Sequence, residues 1–291
     1  PRDGGVLVKV VSSSICGSDL HMLDLGLLGE HTIGHEFAGF APDGTAVAVE
    51  PTLGCGTCPA CGEGYNSHCV RGYQLMGLVS DGGMAEYVSA PAENLVPLPT
   101  GLDVATASLV EPLAVALHGL DRAGVREGER VLVIGGGPVG QAAVAALFGR
   151  GLACDMAARY SHQREAAARL GAGLEPGDGY DVVIDAVASE DSLKEATRRL
   201  RPMGRIGMVG SFWQRTALDR VLCVKEITLV PSNTYTCKSP HRNFEEAGRL
   251  LHAHPGIAGA LVTHRFPLDA VDEAFATARD RAGGAIKVVF D

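Results

Sequence analysis

The chain has 291 residues, enough for two domains with separate cores, and a formal net charge of −9 at pH 7, which argues against nucleic-acid binding through clustered Lys and Arg. No run reaches the roughly 18 apolar residues of a membrane span, and the opening PRDGGVLVKV has neither the charged head nor the apolar stretch of a signal peptide. These limits leave a soluble cytoplasmic chain. The opening also lacks an initiator Met and enters a strand-like alternation at once, so the sequence is expected to begin inside a longer natural protein.

Residues 6–11, VLVKVV, alternate like a strand, and 46–51, AVAVEP, and 84–90, MAEYVSA, are further short strands among Gly-rich turns. The first third is therefore β-rich. Over 104–120 the texture becomes helical, VATASLVEPLAVALHGL, and RVLVIGGGPVGQAAVAALFGRG then reads as buried strand, glycine turn and Ala-rich helix. A second strand is expected in GLACDMAARYSHQ, ending near Arg159. Residues 180–188, 205–212 and 226–233 are buried-strand runs, with a helix over 191–200 between two of them. This alternation implies a parallel sheet with helices on both faces, an α/β chain. The tail carries helices over 242–254 and 270–280, a short VTHRF and a closing strand, AIKVVF.

Four of the eight cysteines, Cys55, Cys58, Cys61 and Cys69, fall in one loop with C-x2-C-x2-C-x7-C spacing. A disulfide framework belongs to small secreted domains, so four clustered thiolates in a cytoplasmic chain read as a metal site. The short spacings, with Gly and Pro between ligands, let the chain turn around one ion with sulfurs about 2.3 Å away, the geometry of structural zinc. A redox CxxC explains only two of the four thiols, while an iron–sulfur cluster is open to thiolates alone. His68 reads as a bystander, and Cys154, Cys223 and Cys237 as scattered small hydrophobes.

Gly135, Gly137 and Gly140 form G-x-G-x-x-G, with Pro138 and Val139 inside the turn, between an apolar strand and a helix. The first Gly permits the tight turn, the second lets the backbone approach a pyrophosphate, and the third lets helix and strand pack. The helix N-terminus supplies amide donors and a positive dipole for the phosphates. An acid that binds the ribose hydroxyls is expected roughly 20 residues on. There the sequence offers Ala158 and Arg159, while Asp155 lies too early, inside the strand. A small residue followed by Arg suits a 2′-phosphate, so NADP is expected over NAD.

Cys16, Ser18, Asp19 and His21 in SICGSDLHM, His35 and Glu36 in IGHEFAG, and Glu111 in LVEPLAVALH offer a thiolate, imidazoles and carboxylates. Such a set can bind zinc while leaving a position open. With the cysteine loop and GGGPVG, these motifs stand in the order seen in zinc-dependent medium-chain dehydrogenases/reductases, and the chain resembles that family over essentially its whole length. The resemblance is to the sorbitol- and threonine-dehydrogenase-like branch, because Glu111 stands where other branches place Cys or Asp.

The resemblance implies a GroES-like β-rich catalytic domain over 1–111, to which 237–291 returns, and a Rossmann domain, a doubly wound parallel sheet, over 112–236. It implies two zinc ions per chain, one structural and one catalytic, the latter on Cys16, His35 and Glu36 or Glu111. One acid would ligate directly while the other works through water. Asp19 would fix the His35 ring, and Ser18 and His21 would relay the alcohol proton. A homodimer or homotetramer, an alcohol or ketone substrate (polyol, cyclitol, secondary or amino alcohol) and no nucleic-acid or membrane partner follow from the same likeness. Relative to the family, the loop between Cys16 and His35 and the stretch after LGAG at 170–173 are short, and the usual acid after the second Rossmann strand is absent. Two other functions share these features in part: a zinc-independent enone or quinone reductase of the same superfamily, and a non-catalytic zinc-binding protein that keeps the fold.

Overall fold

The alternation in GVLVKVVSSS builds a strand of ten residues, β1 (Gly5–Ser14), and Cys16 then caps the first helix, α1 (Gly17–Asp24). The computed structural model describes residues 5–239 and 242–291. Gly-punctuated sequence yields the short strands β2 (Glu36–Phe40), β3 (Ala46–Val49) and β4 (Thr52–Leu53), then the one-turn α2 (Pro59–Gly62) inside the cysteine loop. Strands β5 (Gln74–Leu75), β6 (Tyr87–Pro91) and β7 (Leu95–Pro97) follow.

The helix expected over 104–120 divides. Val104–Leu109 is a tighter 3-10 segment opened by Asp103, whose carboxylate accepts the Ala105 N–H, and the α-helix proper is α3 (Val110–Ala123). Leu113, Leu117 and Leu120, spaced along one face of α3, are fully buried.

Next come β8 (Val131–Ile134), α4 (Pro138–Gly149), β9 (Cys154–Ala157), α5 (Ser161–Arg169), β10 (Tyr180–Asp185) and α6 (Glu190–Arg199). They lead to β11 (Leu200–Met208), α7 (Arg220–Val224) and β12 (Thr228–Pro231). The strand expected to run to Arg159 stops at Ala157, because Tyr160 already caps α5. The tail holds α8 (Asn243–Ala253), α9 (Gly256–Leu261), β13 (Val262–Phe266), α10 (Val271–Arg279) and β14 (Lys287–Phe290).

The chain divides into two compact units, Pro1–Ala114 with Thr234–Asp291, and Val115–Asn233. The first holds a seven-stranded sheet in the order β13-β14-β1-β2-β3-β7, with β6 also paired to β1. Strand β14 pairs antiparallel with the end of β1, Ser13 opposite Phe290 and Ser14 opposite Val289, so the tail closes beside Cys16. Val8, Phe37, Val47, Val49, Met76 and Val88 fill one core, and Ile15, Leu20, Phe275, Val288 and Phe290 another. Arg242 ties the tail to this unit again through Glu50, 2.5 Å away and 1% exposed.

The second unit is a five-stranded parallel sheet in the order β12-β11-β10-β8-β9. The order reverses at β8, so right-handed crossovers put the helices before and after that point on opposite faces, the doubly wound arrangement. Leu132, Ile134, Val183, Leu193, Ile206 and Ile227 pack its core. Beyond α5 the chain runs beside β9 at Gly173, which exchanges backbone hydrogen bonds with Cys154 and Met156. This is the short stretch noted in the sequence. Among the described residues, no helix is long and apolar enough to cross a membrane.

Candidate metal and nucleotide sites

In the first unit, Cys16, His35 and Glu36 each offer a ligand atom, and these atoms all lie within 4.8 Å of one another. Cys16 is delivered by the end of β1 and the start of α1, and His35 and Glu36 by the entry to β2. Asp19, fully buried, serves two ligands at once: Oδ2 accepts the Cys16 backbone N–H at 2.9 Å, and Oδ1 lies 3.2 Å from His35 Nδ1. Fixing Nδ1 leaves Nε2 as the metal-facing nitrogen. Ser18 Oγ is 3.4 Å from that Nε2. Burial opposes a charge on His35, but Asp19 and Cys16 outweigh it and hold the ring well above its ordinary pKa, so an entering cation would displace a proton.

Glu111, in the first turn of α3, is not one of this set of three, although it is electrostatically coupled to it. Burial pushes its pKa up to about 8, with His35 opposing and Glu36 reinforcing the rise. Of the two acids, Glu36 therefore lies with Cys16 and His35. Its neighbour on the far side was not expected from the sequence: Lys287 Nζ donates to Glu36 Oε1 at 2.8 Å and to Oε2 at 2.6 Å, and both residues are 1% exposed. Ser14 Oγ also donates to Glu36 Oε2. The signal was present in AIKVVF, a lone Lys in a buried strand, since a buried Lys needs a partner. Tyr73 was also missed. The residue as a whole is 40% exposed, but its hydroxyl end is buried, and that burial, with Glu111 and Cys16, pushes its pKa up to about 12 against the opposing pull of His35.

The four loop cysteines form a second group whose sulfurs lie within 4.8 Å, and none is in a disulfide. Backbone N–H groups already point at two of the sulfurs, Cys58 N–H to Cys55 Sγ at 3.4 Å and Arg71 N–H to Cys69 Sγ at 3.5 Å. Donors from Thr57 hold the Cys55 thiol down to about 5, whereas burial pushes Cys61 up to about 11. Four cysteine sulfurs this close together, two of them already met by backbone amides, fit zinc.

In the second unit the glycine turn leaves β8 and opens α4, with Gly137 as its N-cap and no side chain satisfying the first amides. A Cβ at Gly140 would lie 1.7 Å from the Gly135 carbonyl oxygen, so only Gly lets α4 pack this close. A Cβ at Gly137 would meet nothing within 4 Å, which leaves an open cradle at the amide-rich end of the helix, over Pro138 and Val139. Past β9, a cavity of about 350 Å³ is lined by Ala158, Arg159, Arg164, Leu174 and Pro176 among others. Arg164 donates to the Ala158 and Arg159 carbonyls at 3.1 Å and fixes the turn, leaving the exposed Arg159 side chain at the rim. Asp155 stays inside β9, where its carboxylate accepts the Tyr180 hydroxyl at 2.5 Å.

The structure thus gathers Cys16, Ser18, Asp19, His35 and Glu36, leaves Glu111 alongside, and puts His21 on the same face of α1 as Ser18, three residues on.

Residues 2–100 match the alcohol dehydrogenase GroES-like domain. The chain is 30% identical to L-galactonate-5-dehydrogenase of Escherichia coli (strain K12), over 94% of this chain and 88% of that one. Galactitol-1-phosphate dehydrogenase from Escherichia coli superposes with a TM-score of 0.89 at 26% identity, over 100% of this chain and 93% of that one. A zinc-binding dehydrogenase from Sinorhizobium meliloti 1021, bound to NADP, superposes with a TM-score of 0.85 at 26% identity, over 100% and 92% of the two chains. With sequence, fold and the order of its motifs in agreement along nearly the whole chain, this protein belongs to the zinc-type medium-chain alcohol dehydrogenase superfamily.

Proposed function

We propose that the protein is a zinc-dependent oxidoreductase that moves hydride between an alcohol carbon and NAD(P). The observation that carries this reading is the convergence of Cys16, His35 and Glu36 within 4.8 Å, in a chain whose other unit bears an open glycine cradle. Cys16, His35 and Glu36 would hold the catalytic zinc with Glu111 beside them, and Cys55, Cys58, Cys61 and Cys69 the structural one. Bound there, the catalytic ion supplies a Lewis acid that makes an alcohol hydroxyl more acidic, and the nicotinamide supplies the hydride acceptor. Asp19 orients the His35 ring. Ser18 Oγ, next to the metal-facing nitrogen, takes the hydroxyl proton and passes it to His21. Burial, and then Arg281, lower the His21 pKa, so the ring is neutral near pH 7 and ready to accept.

The first unit acts as the catalytic domain and the second, with Gly135, Gly137, Pro138, Val139 and Gly140, cradles the cofactor phosphates. The substrate is an alcohol of the polyol, cyclitol, secondary or amino-alcohol class, which the hydroxy-acid and polyol-phosphate names of the relatives support. The enzyme works in the cytoplasm as a homodimer or homotetramer, which light scattering tests.

NADP is preferred over NAD. Between Met156 and Arg164 there is no carboxylate to repel a 2′-phosphate, and Arg159 borders a cavity that Ala157, Ala158 and Arg164 also line. A charged hydrogen bond contributes about 1.5–3 kcal/mol, so Arg159→Ala should weaken NADP use by about tenfold to a hundredfold and leave NAD use unchanged. The test is kcat/KM for both cofactors with a panel of alcohols, alongside metal analysis. Equal efficiency with both cofactors in the wild type would remove the preference, and a fully metallated protein that oxidises no alcohol would remove the activity.

A further inference from the structure

The cavity past β9 has two sides. Ala157, Ala158, Arg159 and Arg164 come from β9 and the segment that follows it, whereas Leu174 and Pro176 come from the short stretch beyond α5. Residues 174–179 form no helix or strand, yet their backbone is tied at nearly every step. Gly173, just before them, exchanges two backbone bonds with β9, and a Cβ there would lie 2.0 Å from Asp155 Oδ1, so a side chain would displace that carboxylate. Arg199 Nη1 donates to the Pro176 and Gly177 carbonyls at 2.5 and 2.6 Å, and Arg130 Nη1 to the Asp178 carbonyl at 2.7 Å.

Tyr180 joins the two sides. It is fully buried, its hydroxyl donates to Asp155 Oδ2 on β9 at 2.5 Å and accepts the Gly177 N–H at 3.0 Å, and the Arg130 guanidinium lies 4.9 Å from its ring centre. Burial, and then Asp155, push its pKa up to about 12, so the hydroxyl stays a donor at neutral pH. Each anchor stands beside a lining residue: Gly173 before Leu174, Gly177 after Pro176, and Asp155 two residues before Ala157 on the same strand. Tyr180 itself does not line the cavity.

We infer that residues 174–179 are the fixed second wall of the pocket for the adenosine end of the cofactor, and that Tyr180 is the positioning residue that sets this wall against β9. The inference rests on the NAD(P) reading above and adds to it what holds the pocket in shape. A wall tied in advance need not be ordered when a ligand arrives, and that ordering costs affinity. Without the hydroxyl, the Gly177 N–H and the Asp155 carboxylate both lose a partner, and the wall is free to leave β9. Every adenosine ligand is then weakened alike, whether or not it carries a 2′-phosphate.

The experiment is calorimetric titration of the whole protein with ADP-ribose and with its 2′-phosphorylated form, at a temperature well below the melting point of each variant. Neither ligand carries the nicotinamide, so alcohol turnover does not enter the result. Tyr180→Phe, which keeps the ring against Arg130, should weaken both ligands by about tenfold, the loss of one hydrogen bond to a charged group, and leave their ratio unchanged. Arg199→Gln, which frees the wall from its other side, should weaken both in the same direction and decides the matter if Tyr180→Phe does not fold. Arg159→Ala should instead change the ratio. Folded variants that bind both ligands as the wild type does, with only a lower melting temperature, would show Tyr180 to be purely structural and overturn the inference. A loss confined to one ligand, or a wild type that binds neither, overturns it too. A wild type that binds the two ligands equally defeats the NADP preference alone, since the common loss in Tyr180→Phe still reports on the wall.

Discussion

Replacing Cys16 by Ser is expected to abolish alcohol oxidation while leaving the fold nearly intact. The thiolate is the softest of the three clustered donors and the one best matched to zinc. The hydroxyl that replaces it is a poor ligand when neutral. Losing the ion removes several kcal/mol of transition-state stabilisation, which corresponds to a fall in kcat/KM of about a thousandfold or more. Stability should change little, because Cys16 is half-buried and its backbone N–H keeps its bond to Asp19. Ser is itself a good residue at a helix N-cap. Activity, zinc content and melting temperature, measured together, check this. A variant that keeps wild-type activity would take Cys16 out of the site.

The Cys55→Ser protein should show the reverse, a large loss of stability. The loop around Cys55 has almost no apolar core of its own: Cys58, Cys61 and Cys69 pack with one another and with Cys55 and Ala60. Four thiols cannot hold fifteen residues in place by burial, so the ion must supply the free energy, and metal binding in such loops is coupled to folding at about 10–16 kcal/mol in isolated fingers. The damage would spread, because Cys237 N–H bonds the Gly64 carbonyl at 2.7 Å, Lys238 Nζ bonds the Gly62 carbonyl at 2.5 Å, and Thr52 bonds the Tyr235 hydroxyl at 3.2 Å. The tail is thus stitched to the loop. Thermal melts should show the wild type losing stability in strong chelator and the Cys55→Ser variant already near that low value. If reductant rather than chelator lowers the wild-type melt, the loop is held by disulfides and the zinc reading fails.

The sequence displayed the chemistry of short motifs well and their spatial partners poorly. Spacing alone brought out the four-cysteine loop, because ligands a few residues apart must lie near each other. The glycine turn was legible because strand, turn and helix are contiguous. Cys16 and His35 are nineteen residues apart, and only a strand pairing, β1 on β2, brings them together; the motif order suggested that meeting but no local pattern required it. Lys287 is 251 residues from Glu36 and meets it only because β14 joins the sheet beside β1. The choice between Glu36 and Glu111 was undecided in sequence for the same reason, since it depends on where α3 lies against β2. Short elements were hidden too. Helix α1 looks like a motif rather than a helix, and α5 was absorbed into the preceding strand, since SHQ carries no apolar period of its own.

The central claim is hydride transfer between an alcohol carbon and a nicotinamide in zinc-loaded protein, and isotope transfer tests it most directly. A substrate alcohol found in the panel, deuterated at its carbinol carbon, would be oxidised with NADP and the recovered NADPH weighed by mass spectrometry. One deuterium per reduced cofactor, lost in the Cys16→Ser protein, is the predicted result; reduced cofactor that carries no deuterium, or none formed by fully metallated wild type with any alcohol, would contradict it.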